Sequence, residues 1–495
     1  MGIIIRQSIK STFVNYVGSF IGFLTTMLIL PKFLQPEEIG LTRVVYEAAV
    51  LVCSFALLGT SSSILRFFPY FKNEKNDNNG FFFYILLFAV VGILIFVPLY
   101  ILLEEPISAF FSRAILFVDY YHWVVPLIVI LVFWSIFENY TNALMRIAVP
   151  KFIREVVVKV LLLIVYLLFA FKLLNLDWLI GCIIAVYGIA MLLTLAYTSR
   201  IGSISLKHNF SFLDKPLKKK VRNYTLFFLL YALSGSALSQ LDLFMVGSQM
   251  GLEYAGIYTI AFFLGTATEV PARSISAISS PIAAKAFKEN EIDTVDLLYK
   301  KVSIHQLVAG SFIFLLIWIN IDNIFAIIPN GHKYAAGKWV VFFIGISRII
   351  GVTLNFGSVL ISFSKYYYWS LFFTFIITLT GIITNLLLIP VMGITGAAIA
   401  TLISCSLSYL IQQVIIATKI KCNPFTINTL KQLLIIAAVF SVNFILPQYT
   451  QHPLIDGIYR SVITIGVMTF LIYKLKISDE ICILIDKYAI KRNKI

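Results

Sequence analysis

Two pairs of opposite charges stand four residues apart inside apolar runs of this sequence: Arg43 with Glu47 in GLTRVVYEA, and Glu269 with Arg273 in ATEVPARSI. A third cation, Arg348 in FFIGISRIIGV, has no carboxylate within one helical turn of it in sequence. A charge at the centre of a membrane helix costs about 2.5–3.5 kcal/mol on insertion scales, so such residues face a bundle interior or water. A planar guanidinium offers the paired donors that phosphate oxygens accept, which makes Arg273, Arg348 and Arg43 candidate substrate contacts for an anion. Asp242, Glu269 and Glu47 are candidates for H+ or Na+ coupling or for gating, because a buried carboxylate titrates away from its usual range. Structural readings stand beside these. Each i, i+4 pair can cancel its own charge on one helix face, and Arg43 can reach an interface with its long side chain. Arg348 can pair with Glu269 or Asp242, and Asp242 can be satisfied beside Ser239 and Gln240. Pro271, between Glu269 and Arg273, frees a backbone carbonyl on the preceding turn, which membrane helices tolerate where they line a cavity.

Other chemistries find no support. Five histidines are widely separated, and five cysteines (Cys53, Cys182, Cys405, Cys422 and Cys482) contain no C-x-x-C pair. No metal and no cofactor is expected. The run GHKYAAGKW (331–339) has Trp where a phosphate loop needs Ser or Thr, so no built-in ATPase is expected.

The elements that must position these charges are membrane helices. Hydrophobic residues make up 60% of the 495 and charged residues 13%, about half the charge of a soluble chain. Hydropathy gives fourteen spans, from 9–31 to 457–474, with span 2 at 41–63, span 7 at 224–249, span 8 at 256–282 and span 10 at 337–362. Counting from those ends at about 1.5 Å per residue puts Arg43 about 3 Å below the outer end of span 2 and Arg348 roughly 16 Å down span 10. Arg43 and Glu47 then read as an outer gate or a self-paired rim, and Arg273 and Arg348 as the deeper site. With both termini cytoplasmic, thirty of the 39 Lys and Arg fall on the inner side and six on the outer, as the positive-inside rule requires. The net charge of +15 is therefore topology and attraction to anionic inner-leaflet lipid, and no nucleic-acid partner is expected.

An all-α integral membrane protein of about fourteen helices follows. Gly40 and Gly256, Lys151 and Lys365, and Gly181 and Gly396 are offset by 214 to 216 positions, which implies two parallel six-helix lobes. The expected organisation is an N-lobe at 1–200, a basic cytoplasmic linker at 201–223, a C-lobe at 224–420, and two further helices with a basic tail at 421–495. The segment 285–301 reads as a short interfacial helix, and Pro36-Glu-Glu-Ile-Gly40 as the outer turn between spans 1 and 2. The longest outer loop, Glu104 to Asp119, is too short for an external catalytic domain, so the protein is not expected to be an enzyme.

Three stretches carry a resemblance: GLEYAGIYTIAFFLG (251–265), SSPIAAKAFKEN (279–290) and NLLLIPVMGITGAAIATLIS (385–404). They resemble the polysaccharide-transporter, or O-antigen flippase, branch of the multidrug/oligosaccharidyl-lipid/polysaccharide exporter superfamily. LPKFLQPEEIGLTRVV (30–45) resembles the same family's turn after span 1, with Gln35 where Gly is common. The resemblance implies a flippase for a polyprenyl-pyrophosphate-linked oligosaccharide, an O-antigen or capsule unit, in the bacterial inner membrane. It further implies alternating access, energy from an ion gradient, and polysaccharide-assembly proteins as partners. The alternatives are a multidrug or small-cation antiporter of the same superfamily and an O-antigen polymerase or ligase.

Overall fold

A computed structural model describes residues 14–73, 78–201, 204, 221, 241–447, 452–480, 482, 483 and 486. The basic linker at 205–220, the first part of span 7 (224–240, including Ser239 and Gln240) and the end of the C-terminal tail lie outside the described residues. Among the described residues the structure is helical throughout, and nine helices are long and apolar enough to cross a membrane. It is an all-α, multi-pass membrane fold.

The chain divides into two compact units, Met1–Thr259 and Ile260–Ile495. In the first, α1 is Val14–Phe33, α2 Pro36–Ala56, α3 Thr60–Phe71, α4 Phe81–Leu102 and α5 Val124–Ala143. The next helix, α6, joins Ala148–Phe152, a π-helical turn Ile153–Val157 and Val158–Ala170. It is followed by α7, Leu176–Ile201, and by α8, Leu252–Thr266. The hub is α5, against which α2, α3, α4 and α7 pack through its buried Leu127, Ile128, Val132 and Ile136. By contrast α4 is apolar all round and exposes Leu94, Ile95 and Leu102, the surface a bilayer covers.

In the second unit α9 is Val270–Lys288, α10 Ile292–Ile319, α11 Lys338–Leu354 and α12 Phe356–Phe363. Beyond them come α13, Trp369–Ile415, then α14, Ile427–Ile445, and α15, Pro453–Lys474. Here α10 is the hub, packed by α9, α11, α14 and α15. Polar pairs dock the last two helices onto it: Gln432 donates to Ser311 at 3.1 Å and Asn320 to Ser461 at 3.0 Å.

Two expectations change. Pro36 opens α2 instead of forming a turn, because proline fits the first helical position and Glu37 and Glu38 suit a helix N-terminus. The Gln35 amide donates to Glu38 Oε2 at 2.8 Å and closes that end. Residues 285–301 form no separate interfacial helix; they are the end of α9 and the start of α10, parted at 289–291. The IPVMGITGAA run is a hairpin corner inside α13, where Gly393 (φ 59°, ψ −140°) breaks the helix in a conformation that favours glycine. A Cβ on Gly396 would collide with the Leu388 carbonyl across that corner.

Gly40 and Gly256, aligned by the sequence repeat, meet in space. A Cβ on Gly40 would strike the Leu252 carbonyl, and one on Gly256 the Pro36 carbonyl. The starts of α2 and α8 therefore cross at backbone contact, as small residues permit in membrane helices.

Candidate functional site

In the second unit, a break in the helix running from α8 to α9 positions the main cluster. A 3-10 turn at Ala267–Glu269 separates the two helices, and Pro271 lies just beyond it. Glycines let the neighbours close in: a Cβ on Gly265 would lie 2.7 Å from Ile344, and one on Gly345 would lie 2.5 Å from Phe314. Glu269 thereby reaches Arg348 on α11, 79 residues away, whose Nη1 donates to Glu269 Oε1 at 2.8 Å. The other carboxylate oxygen faces Arg273 Nη2 at 3.7 Å. One carboxylate thus serves two guanidiniums, and the trio carries one surplus positive charge.

The arginines differ in what they have left to offer. Arg348 lies over the Phe262 ring at 5.3 Å, and its buried Nε has no hydrogen-bond partner. Arg273 is 68% exposed, with most of its fork free. A buried unpaired donor and a free guanidinium around one carboxylate can take up an acceptor-only anion such as phosphate. Gln306 steadies the frame from α10, donating to the Ala272 carbonyl at 3.2 Å and to Ser276 at 2.8 Å.

In the first unit Arg43 and Glu47 form their i, i+4 pair at 2.5 Å. Because α2 begins at Pro36, Arg43 lies about 10 Å from the start of its helix. Asp242 accepts a hydrogen bond from the Tyr258 hydroxyl at 3.1 Å. Of the two carboxylates offered to Arg348 by the sequence, Glu269 receives it.

Two charge pairs escaped the sequence reading. Arg154 in the π-helical turn of α6 pairs with Glu138 on α5 and covers the Trp134 ring at 4.8 Å. The two residues sit symmetrically about the short connection near Arg146, a signal that antiparallel neighbours would meet there. Arg460 on α15, counted only as an outer-side cation at the end of the last span, is 2% exposed. It donates to Asp456 at 2.7 Å, to Asn443 at 2.6 Å, and to the Leu446 and Pro447 carbonyls at 3.3 and 3.0 Å. Asn323 donates to the same Asp456 oxygen at 2.6 Å. Outside the membrane helices, Lys301 holds the Glu480 carboxyl down at about 2 through a 2.8 Å hydrogen bond. Among the described residues no group of three metal-ligating side chains occurs.

Solved structures identify the architecture. The chain aligns over 96% of its length with all of the structure described as "Lipid II flippase MurJ, inward closed conformation", at TM-score 0.72 and 14% identity. The two chains share one fold. It aligns over 83% of its length with 98% of an inward-facing multidrug resistance MATE family transporter of the MOP superfamily, at TM-score 0.59 and 15% identity. A MOP superfamily transporter from Pyrococcus furiosus, described as having a binding pocket of reverse polarity, matches at TM-score 0.57 and 15% identity over 85% of this chain and 95% of that one. No protein-family model matches the sequence, and no curated protein does.

Proposed function

We propose that this protein is a flippase that carries a polyprenyl-pyrophosphate-linked oligosaccharide, an O-antigen or capsule repeat unit, across the bacterial inner membrane. The observation that carries this reading is the Arg348–Glu269–Arg273 cluster, with its surplus positive charge and its unpaired buried donor. A diphosphate supplies the acceptors that these guanidiniums lack. The fold shared with a lipid II flippase supports a lipid-linked substrate. Movement is by alternating access, with both termini in the cytoplasm and an ion gradient as the energy source. Asp242 and Glu47 are the proposed coupling carboxylates, since Glu269 is committed to two arginines.

The test is glycan export in cells that depend on this chain. Arg348→Ala and Arg273→Ala should abolish export while the protein stays in the membrane at its normal level; normal surface polysaccharide in both variants sinks the reading. The likeness to multidrug MATE transporters favours a second reading, export of small cations. Efflux of a cationic dye from vesicles holding the purified chain, with no movement of lipid-linked glycan, would select it.

A further inference from the structure

The first unit holds a second cluster within membrane helices, and its chemistry differs from that around Arg348. Near the middle of their lengths, α2, α5 and α7 bring Tyr46, Trp134 and Tyr187 together. The Tyr46 and Tyr187 rings stack at 5.2 Å, and Trp134 meets Tyr187 at 6.0 Å. A guanidinium caps each end of this aromatic row: Arg43 lies 5.6 Å from the Tyr46 centroid and Arg154 lies 4.8 Å from that of Trp134.

The charges in this cluster balance. Arg43 pairs with Glu47 and Arg154 with Glu138. Lys159 and Glu155, the next pair along α6, cancel each other at 2.8 Å. The two guanidiniums are 46% and 45% exposed, so each keeps donors to offer, whereas the Glu47 side chain is 2% exposed. Glu47 Oε1 is taken by Arg43, and Glu47 Oε2 is buried without a donor.

That unpaired atom selects the ligand. A phosphodiester oxygen only accepts hydrogen bonds; it could use the arginines, but it could give nothing to Glu47 Oε2 and would be repelled by both carboxylates. A hydroxyl accepts from a guanidinium and donates to a carboxylate at the same time. A sugar ring adds an apolar C–H face for aromatic side chains to pack against. We infer that Arg43, Glu47, Tyr46, Trp134, Glu138 and Arg154 form a binding site for an uncharged, hydroxyl-rich ligand, the glycan portion of the transported lipid. This inference rests on the flippase reading, and it assigns sugar recognition to the first unit.

The full-length protein in lipid nanodiscs tests it with three probes: the lipid-linked oligosaccharide extracted from the cells that make this chain, the reducing glycan released from it by mild acid, and sugar-free polyprenyl pyrophosphate. Binding is read by native mass spectrometry and by tryptophan fluorescence. The released glycan should bind the wild type. Tyr46→Ala and Trp134→Ala should weaken that binding about tenfold, the scale of a lost aromatic contact with its buried area, and leave sugar-free polyprenyl pyrophosphate unaffected. The paired variant E138Q/R154Q removes two charges but keeps donors and acceptors, so glycan binding should persist within about threefold; it also guards against a ring deletion that merely fails to fold. Suppose instead that sugar-free polyprenyl pyrophosphate binds, loses affinity in E138Q/R154Q, and the released glycan does not bind. The site is then an anion site, and the inference is overturned while the flippase reading stands. A fluorescence response to Na+ alone, with none to released glycan, makes it a coupling site and also overturns the inference. If none of the three probes binds the wild type, the flippase reading itself falls.

Discussion

Arg348, half-buried, and Arg460, buried, are both arginines on membrane helices of the second unit, each beside a carboxylate, yet they are built for different ends. Arg460 spends its donors on Asp456, Asn443 and two carbonyls that follow α14. Arg348 has one ion pair, shared through Glu269 with a second arginine, and keeps an unpaired Nε. The first is a staple that caps α14 and ties α15 to it; the second has capacity left for a ligand. The count of satisfied donors separates these roles. Glu47 extends the lesson to the first unit, where the unpaired atom is an acceptor and asks for a ligand that donates.

The largest effect should come from breaking the staple. Arg460→Ala leaves the Asp456 carboxylate buried without its guanidinium and should cost about 3–5 kcal/mol, a large part of a typical total stability of about 5–15 kcal/mol. Loss of monodisperse protein on detergent extraction is the expected readout. A well-folded Arg460→Ala protein with altered transport would move Arg460 into the same class as Arg348 and dissolve the distinction.

Arg348→Ala should instead leave the folded yield unchanged, because Glu269 keeps Arg273 beside it. Binding of polyprenyl pyrophosphate should fall about 30-fold, the equivalent of roughly 2 kcal/mol for lost charge-assisted hydrogen bonds. Arg348→Lys keeps the charge and loses the planar fork, so it should fall between the two. Glu269→Gln sharpens the contrast from the other side. It removes the carboxylate that competes with the ligand, and should tighten diphosphate binding by about fivefold, near 1 kcal/mol of released attraction, while slowing turnover in a transport assay.

The smallest effect belongs to an exposed pair. Lys301→Met should let the Glu480 carboxyl rise from about 2 toward its ordinary 4.5, as a carboxyl NMR titration would show. Because the folded value is depressed, the contact is fully present above 4.5 and is lost as pH falls through about 2. The loss in thermal stability should therefore be the same at pH 6 and pH 8, and small, because the pair is exposed.

Much of this was legible in the chain. Hydropathy located the membrane helices, and the glycines of the repeat turned out to touch. Two i, i+4 pairs were visible as pairs because a helix brings such residues together locally. Asp456 and Arg460 have the same spacing, but hydropathy started the last span at 457, one residue after Asp456, and so split the pair; Pro453 at the helix start was the signal that α15 begins earlier. Pro36 was likewise read as part of a turn, although it opens α2. The Arg348–Glu269 contact stayed one of two open readings, since a partner 79 residues away depends on how α8 and α11 pack. Nothing local could show that Tyr46, Trp134 and Tyr187 share one row, because they come from three separate helices.

Ligand discrimination by the Arg348 cluster tests the central claim most directly. Polyprenyl pyrophosphate, polyprenyl monophosphate and neutral polyprenol would be titrated against the wild type and Arg348→Ala in nanodiscs. The account predicts affinity in the order diphosphate, monophosphate, alcohol for the wild type, with the differences largely collapsed in the variant. Equal affinity of the wild type for polyprenol and polyprenyl pyrophosphate would contradict it.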